Sequence, residues 1–143
     1  MIRLSVCIPT FNRGRFIGET LDCIVSQLPD DTEVVVVDGG STDETAEVVE
    51  DLARRCPAIR YFREPTNSGY DADCDKAVGY AAGDYCWLMS DDDLLVPNAI
   101  ARVLSILDEG GIDLLVVDAA ICAKCSDDGQ FARPSSQRLN TPV

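Results

Sequence analysis

The stretch that most constrains this chain is "EVVVVD", residues 33–38, four consecutive valines between two acids. An apolar run with no polar alternation fits a strand covered on both faces, as in a parallel sheet between layers of helix. The neighbouring segments have the same grain. "LSVCIP" (4–9) is apolar and closed by Pro9, which reads as a first strand. From Arg13 to Leu28 the residues Ile17, Leu21, Ile24, Val25 and Leu28 recur at helical spacing. After the valine run, Ser41 and Glu44 read as a capping box opening the helix "DETAEVVEDLARR".

"IRYF" (59–62) makes a short third strand, and "EPTNSG" (64–69) is turn chemistry. A helix is expected from about Tyr70 to Ala82, with Cys74, Val78 and Ala81 toward the core and Gly83 ending it. "DYCWLM" (84–89) is a fourth strand, Pro97 suits the first turn of a helix to about Leu107, and "IDLLVVDAAI" (112–121) reads as a fifth strand. The order βαβαβαβαβ predicts an α/β fold: a mostly parallel sheet, helices on both faces, right-handed crossovers. Beyond about Lys124 the chain is polar and Ser/Pro-rich. The expectation is therefore an α/β domain over 1–124 and a loop or tail over 125–143, with the chain stopping partway through a longer protein.

Charge and missing residue types narrow the chemistry. Twenty-five acids against 12 bases give a net charge of −13, which argues against nucleic acid as a partner. A phosphorylated ligand would need a bridging cation or a local arginine. The chain has no histidine, which removes histidine bases, Ser-His-Asp arrangements and histidine zinc sites. Seven irregularly spaced cysteines read as small hydrophobes in a reducing compartment, and Cys122 with Cys125 has CxxC spacing but no second pair. With neither a signal-peptide pattern nor a stretch long and apolar enough to span a bilayer, the expected location is cytoplasmic.

In an open parallel sheet, ligands bind beyond the carboxyl ends of the strands. The unusual residues gather there: Thr10 and Asn12 after strand one, Asp38 to Ser41 after strand two, Arg63 after strand three, and Asp91 to Asp93 after strand four. Asp38 either caps its glycine turn at Gly39-Gly40 or accepts a base N–H or a ribose hydroxyl. Asp91, Asp92 and Asp93 could simply acidify the start of the next helix. Two acids suffice for that, and three are better explained by a hard divalent cation. Asp71 suits a helix first turn. Asp75 lies further in, where it could bind ligand hydroxyls or pair with Arg63 or Lys76.

Taken together these motifs resemble the donor-binding half of a family 2 glycosyltransferase of the inverting GT-A type. The resemblance rests on Pro9-Thr10-Phe11-Asn12-Arg13, on "VVVVDGGSTDET", on Asn67-Ser68-Gly69, on Ala81-Ala82-Gly83-Asp84-Tyr85, and on Asp93 with Pro97 four residues later. It spans residues 3 to about 107, and "GYDADCDKAVGYAAGDYCWLMSDDD" is similar to the abequosyltransferase-like branch, which builds lipopolysaccharide O-antigen units. The resemblance implies a Rossmann-like nucleotide-diphospho-sugar fold and a metal-assisted transfer to a saccharide or lipid-linked acceptor, with peripheral membrane association through that acceptor. It implies that Pro9, Thr10, Asn12, Asp38, Gly40, Asp71, Asp75 and Asp91 face the donor, and that Asp92 and Asp93 hold Mn²⁺ or Mg²⁺.

Two departures accompany it. Aligned on Asp93 and Pro97, the usual first acid of the metal motif falls on Ser90. The general base expected in the second half of such a protein is not recognisable among the late acids Asp118, Asp127 and Asp128. A non-catalytic nucleotide-sugar-binding module and, more remotely, a phosphotransfer-receiver-like protein are the rival readings. The receiver class wants a lysine late in the sheet, which the fifth strand lacks in place.

Overall fold

The computed structural model describes residues 1–119. Four strands, β1 (Leu4–Thr10), β2 (Thr32–Asp38), β3 (Ile59–Arg63) and β4 (Tyr85–Leu88), alternate with four helices, α1 (Gly14–Val25), α2 (Thr45–Arg55), α3 (Tyr70–Tyr80) and α4 (Ala99–Asp108). The strands pair in parallel in the order β3-β2-β1-β4. The valine run is the expected doubly covered strand: Val34, Val35, Val36 and Val37 are all completely buried. Alternate side chains serve opposite faces. Cys7, Val35 and Val37 form one cluster with Ala77 of α3, joined by Phe62 and Ala81, while α1 and α2 pack on each other.

Register decides which residues meet at the carboxyl edge. Thr10 lies opposite Asp38, and Asp38 opposite Arg63. The chain first builds outward from β1 to β3, then crosses back to lay β4 on the other side of β1. That reversal puts a topological switch point between β1 and β4, where strand ends diverge and a crevice opens.

At the opposite, amino edge a buried glutamate ties four segments together. Glu33 accepts from the Ser5 hydroxyl (2.7 Å), the Ala82 N–H (2.7 Å) and Arg60 (3.1 Å), and Ser5 Oγ in turn accepts from the Gly83 N–H (2.9 Å). Burial pushes the Glu33 carboxyl up, but the Ala82 N–H, the Ser5 hydroxyl and Arg60 outweigh it and hold it below the ordinary glutamate value.

Three expectations need correction. Residues 112–119 form no strand: an apolar run becomes a strand only when a neighbouring edge takes its backbone groups, and β1 is the only strand paired with β4 among the described residues. The compact unit closes at Gly110. Ser41 does not open a capping box, because α2 starts at Thr45 and the Ser41 hydroxyl is engaged elsewhere. Finally, α3 buries Asp73 and Ala77 while leaving Val78 exposed and Cys74 half-buried. The packing face of α3 is thus set one position away from its apolar stripe. Cys122, Cys125, Asp127 and Asp128, with the tail over 125–143, lie outside the described residues, and the five described cysteines are unpaired. No helix among the described residues is long and apolar enough to cross a membrane.

Candidate functional site

The loops after β1 and β2 are laced into one surface. Asn12 sits in the left-handed region (φ 54), which its short amide tolerates. Its N–H donates to Ser41 Oγ (2.8 Å) and its Oδ1 accepts from the Thr42 N–H (2.8 Å). Asp43 accepts from the N–H of Gly14, opening α1 (3.1 Å), and from the N–H of Thr45, opening α2 (3.0 Å). One carboxylate therefore serves two helix N-termini. Burial alone would raise the Asp43 pKa; the Thr45 hydroxyl and the two N–H groups lower it below the ordinary aspartate value.

Asp38 is completely buried beneath this surface. Its Oδ1 accepts from the Ser41 N–H (2.8 Å) and hydroxyl (2.6 Å), and its Oδ2 from the Tyr61 hydroxyl (2.6 Å). Desolvation, with the Asp38 carboxylate beside it, drives the Tyr61 phenol well above its ordinary value, so it stays a proton donor. With both oxygens engaged, Asp38 anchors the turn. Gly40 then takes φ 78, and a side chain there would meet the Glu64 carbonyl at 3.1 Å. Outside the turn lies an open cleft of about 450 Å³ lined by Gly40, Ser41, Thr42, Arg63, Glu64 and Pro65. Arg63 donates to the Ser41 carbonyl (2.7 Å), with its Nε 4.0 Å from Asp38, leaving half of its side chain exposed at that cleft.

The switch point holds two under-satisfied groups, Asp91 and Thr10; the Gln27 Oε1 and Thr32 Oγ1 atoms elsewhere are also buried without a partner. Asp91 is 7% exposed and turns inward, 3.6 Å from the Arg13 guanidinium. Burial pushes its carboxyl above the ordinary aspartate value, against the pull of the Thr10 hydroxyl and Arg13. Thr10 Oγ1 lies near enough to be felt by that charge, yet meets no partner at hydrogen-bond distance and angle, and remains a buried unpartnered atom. Tyr70, at the start of α3, is largely exposed. Its phenol is raised by the neighbouring Cys74 thiol, by burial, and by the charges of Asp91 and Asp71.

The three consecutive aspartates do not act as one group. Asp92 is exposed and accepts from the Ser90 hydroxyl (2.6 Å), and Asp93 is exposed. Among the described residues no three acids or cysteines converge tightly enough to cage a metal ion. Asp71 and Asp75 both point outward from α3; Lys76 pairs instead with Glu64 (2.8 Å), and Arg63 faces Asp38, so neither of the partners considered for Asp75 takes it. Sequence reasoning gave no site role to Arg13, Tyr61, Asp43 or Asp73. Asp73 was findable, because it and Ala77 stand four apart on one helix face. Tyr61 and Arg13 needed the strand register and the turn of β4.

The comparisons with known proteins bear on family and fold. The family model described as Glycosyl transferase family 2 matches residues 5–140. The abequosyltransferase RfbV of Salmonella typhimurium is 35% identical over 108 residues, 73% of this chain and 32% of that protein. A Campylobacter jejuni GalNAc(5)-diNAcBac-PP-undecaprenol beta-1,3-glucosyltransferase is 31% identical, over 77% of this chain and 36% of its own length. The chain thus spans about a third of the length of these relatives. Among solved structures, S. aureus TarS in complex with UDP is similar at TM-score 0.70 and 26% identity, covering 86% of this chain and 40% of that one. The mannosyltransferase PcManGT from Pyrobaculum calidifontis, in complex with GDP-Man and Mn²⁺, is similar at TM-score 0.68 and 31% identity, covering 73% and 32%. A parallel β3-β2-β1-β4 sheet of GT-A type, carrying this family's sequence pattern along almost its whole length, makes the chain a member of glycosyl transferase family 2.

Proposed function

We propose that this chain is the donor-binding part of an inverting glycosyltransferase that moves a sugar from a nucleotide diphosphate to a saccharide or lipid-linked acceptor. One observation carries the reading. At the switch point a buried, unpartnered Thr10 hydroxyl stands beside a buried Asp91 whose ionised form is poorly compensated. Buried polar groups left in this condition are costly unless something outside the protein completes them.

In this reading Pro9 and Thr10 with the Asp38–Gly40 turn frame the nucleoside, Asp38 acting through the turn it anchors and Asn12 by fixing the neighbouring loop. Arg13 draws the donor's negative charge toward the switch point, with Asp91 orienting its guanidinium. Asp71 and Asp75 offer acceptors to sugar hydroxyls from the outer side of α3. The exposed pair Asp92 and Asp93 fits Mn²⁺ or Mg²⁺, since such ions are often held by one or two carboxylates with substrate phosphates and water completing the shell. Such an ion, when bound, offsets charge on the departing diphosphate. The nucleotide ligands in the names of similar structures support the donor class, and the 35% identity to an abequosyltransferase supports the narrower reading of O-antigen assembly. Work on a lipid-linked acceptor would bring the protein to the cytoplasmic face of a membrane.

Thermal melting with UDP or GDP and MnCl₂ tests this. A nucleotide at about 100 times its Kd stabilises the native state by about 2.7 kcal/mol. The expected outcome is a rise needing metal and nucleotide together, and absent in Asp92→Asn. A melting curve that no nucleotide moves refutes the donor-binding reading.

A further inference from the structure

Asp73 is an acid in the first turn of α3 and only 3% exposed, yet none of the roles above uses it. On one side its Oδ1 accepts from the Ser68 hydroxyl (3.2 Å) and lies 3.7 Å from Lys76. Lys76 also donates to Ser68 (2.8 Å) and Glu64 (2.8 Å), so the carboxylate fastens the loop between β3 and α3. On the other side its Oδ2 reaches Gly39, the first residue of the turn after β2. A Cβ added at Gly39 would stand 2.5 Å from that oxygen, closer than any real contact, while Asn67, the other residue nearby, would be at 3.7 Å. Gly39 is not in the left-handed region, so its backbone would accept a side chain. A side chain there would have to displace the Asp73 carboxylate, which occupies its place.

We propose that Asp73 is a positioning residue for the donor nucleotide: its carboxylate fills the side-chain space of position 39 and fixes the Gly39-Gly40 turn against the 64–69 loop. The inference rests on the donor-binding reading above and names the group that sets this edge of the site. Asp38 anchors the turn from below, and Asp73 spaces it from the side. Being buried, Asp73 acts through the backbone it supports. The pairing is reciprocal, since a carboxylate carried by residue 39 would occupy the same volume and face the same Ser68 and Lys76.

That reciprocity gives the experiment. In the full chain, Kd for UDP and for GDP is measured with MnCl₂ by titration, alongside melting without ligand. Asp73→Ala is expected to bind about tenfold more weakly, or about 1.4 kcal/mol. Combining it with Gly39→Asp, which returns the carboxylate from the other side, is expected to recover most of that loss. A helix-packing role alone would lower the melting point without this rescue. Nucleotide binding by Asp73→Ala as tight as wild type, or a folded double variant that stays weak, overturns the proposal while the donor-binding reading stands. If Asp73→Ala does not fold, Gly39→Ala in the otherwise wild-type chain tests the same contact, because its Cβ needs the space the carboxylate holds; weaker binding supports the proposal and an unchanged Kd overturns it. A wild-type chain silent to both nucleotides overturns both readings together.

Discussion

Among the described residues, Asp91 is an acid whose environment disagrees with its charge. Burial raises its carboxyl pKa, so the folded state binds the proton more tightly than the unfolded chain does. The sign follows: the ionised group costs stability at neutral pH, and that cost is relieved as pH falls through the raised folded value toward the ordinary aspartate value. Asp91→Asn is therefore expected to stabilise the ligand-free chain by about 1 kcal/mol near neutral pH, the low end of the cost of an under-satisfied buried group. Denaturant unfolding at neutral and acidic pH checks it, since the variant's advantage should shrink on acidification; a less stable variant refutes it. Sequence placed Asp91 at the right edge. That it turns inward while Asp92 and Asp93 face solvent depends on the local turn after β4, which adjacent identical residues do not encode. Asp38 was likewise placed correctly, but its saturation by Tyr61 required the pairing of β2 with β3.

Among elements, the amino-edge knot decides whether the β-strands and the α3–β4 connection stay in register. Glu33→Ala would strand the Ser5 hydroxyl and the Ala82 N–H in a buried setting, and leave the partly exposed Arg60 without its partner. The expected loss is about 2–3 kcal/mol, below the 3–5 kcal/mol of a fully buried pair because Arg60 is solvent-screened. The Glu33 pKa is held below its ordinary value, so this contribution is present above the ordinary glutamate value and lost as pH falls through the depressed folded one. Urea titrations of wild type and variant should converge in acid; a constant gap would refute the assignment. Element type was plain in the sequence wherever apolar periodicity was strong, as in the valine run and α1. It misled at residues 112–119, where strand composition gained no ladder partner among the described residues, and at α3, where a polar residue is buried because Gly39 leaves room for it.

For the whole molecule, 25 acids against 12 bases make charge repulsion a general burden on the compact state. Raising NaCl from about 0.05 M to about 0.5 M shortens the Debye length severalfold, and the melting temperature without ligand is expected to rise. A fall would mean that the ion pairs outweigh the repulsion. The two sides of the crevice also differ in how far they are made ready. Asn12, Ser41, Thr42 and Asp43 knit the β1 and β2 loops together. The freedom of those loops is surrendered during folding, so under the proposed donor reading a nucleoside there would meet a rigid seat. The aspartates after β4 are held more loosely: Ser90 donates to the Asp92 carboxylate and Thr20 to the Asp91 carbonyl, while Asp92 and Asp93 stay exposed. Under the proposed donor reading, ordering that side falls to the ligand, so the entropic cost of binding is expected to concentrate at the diphosphate end.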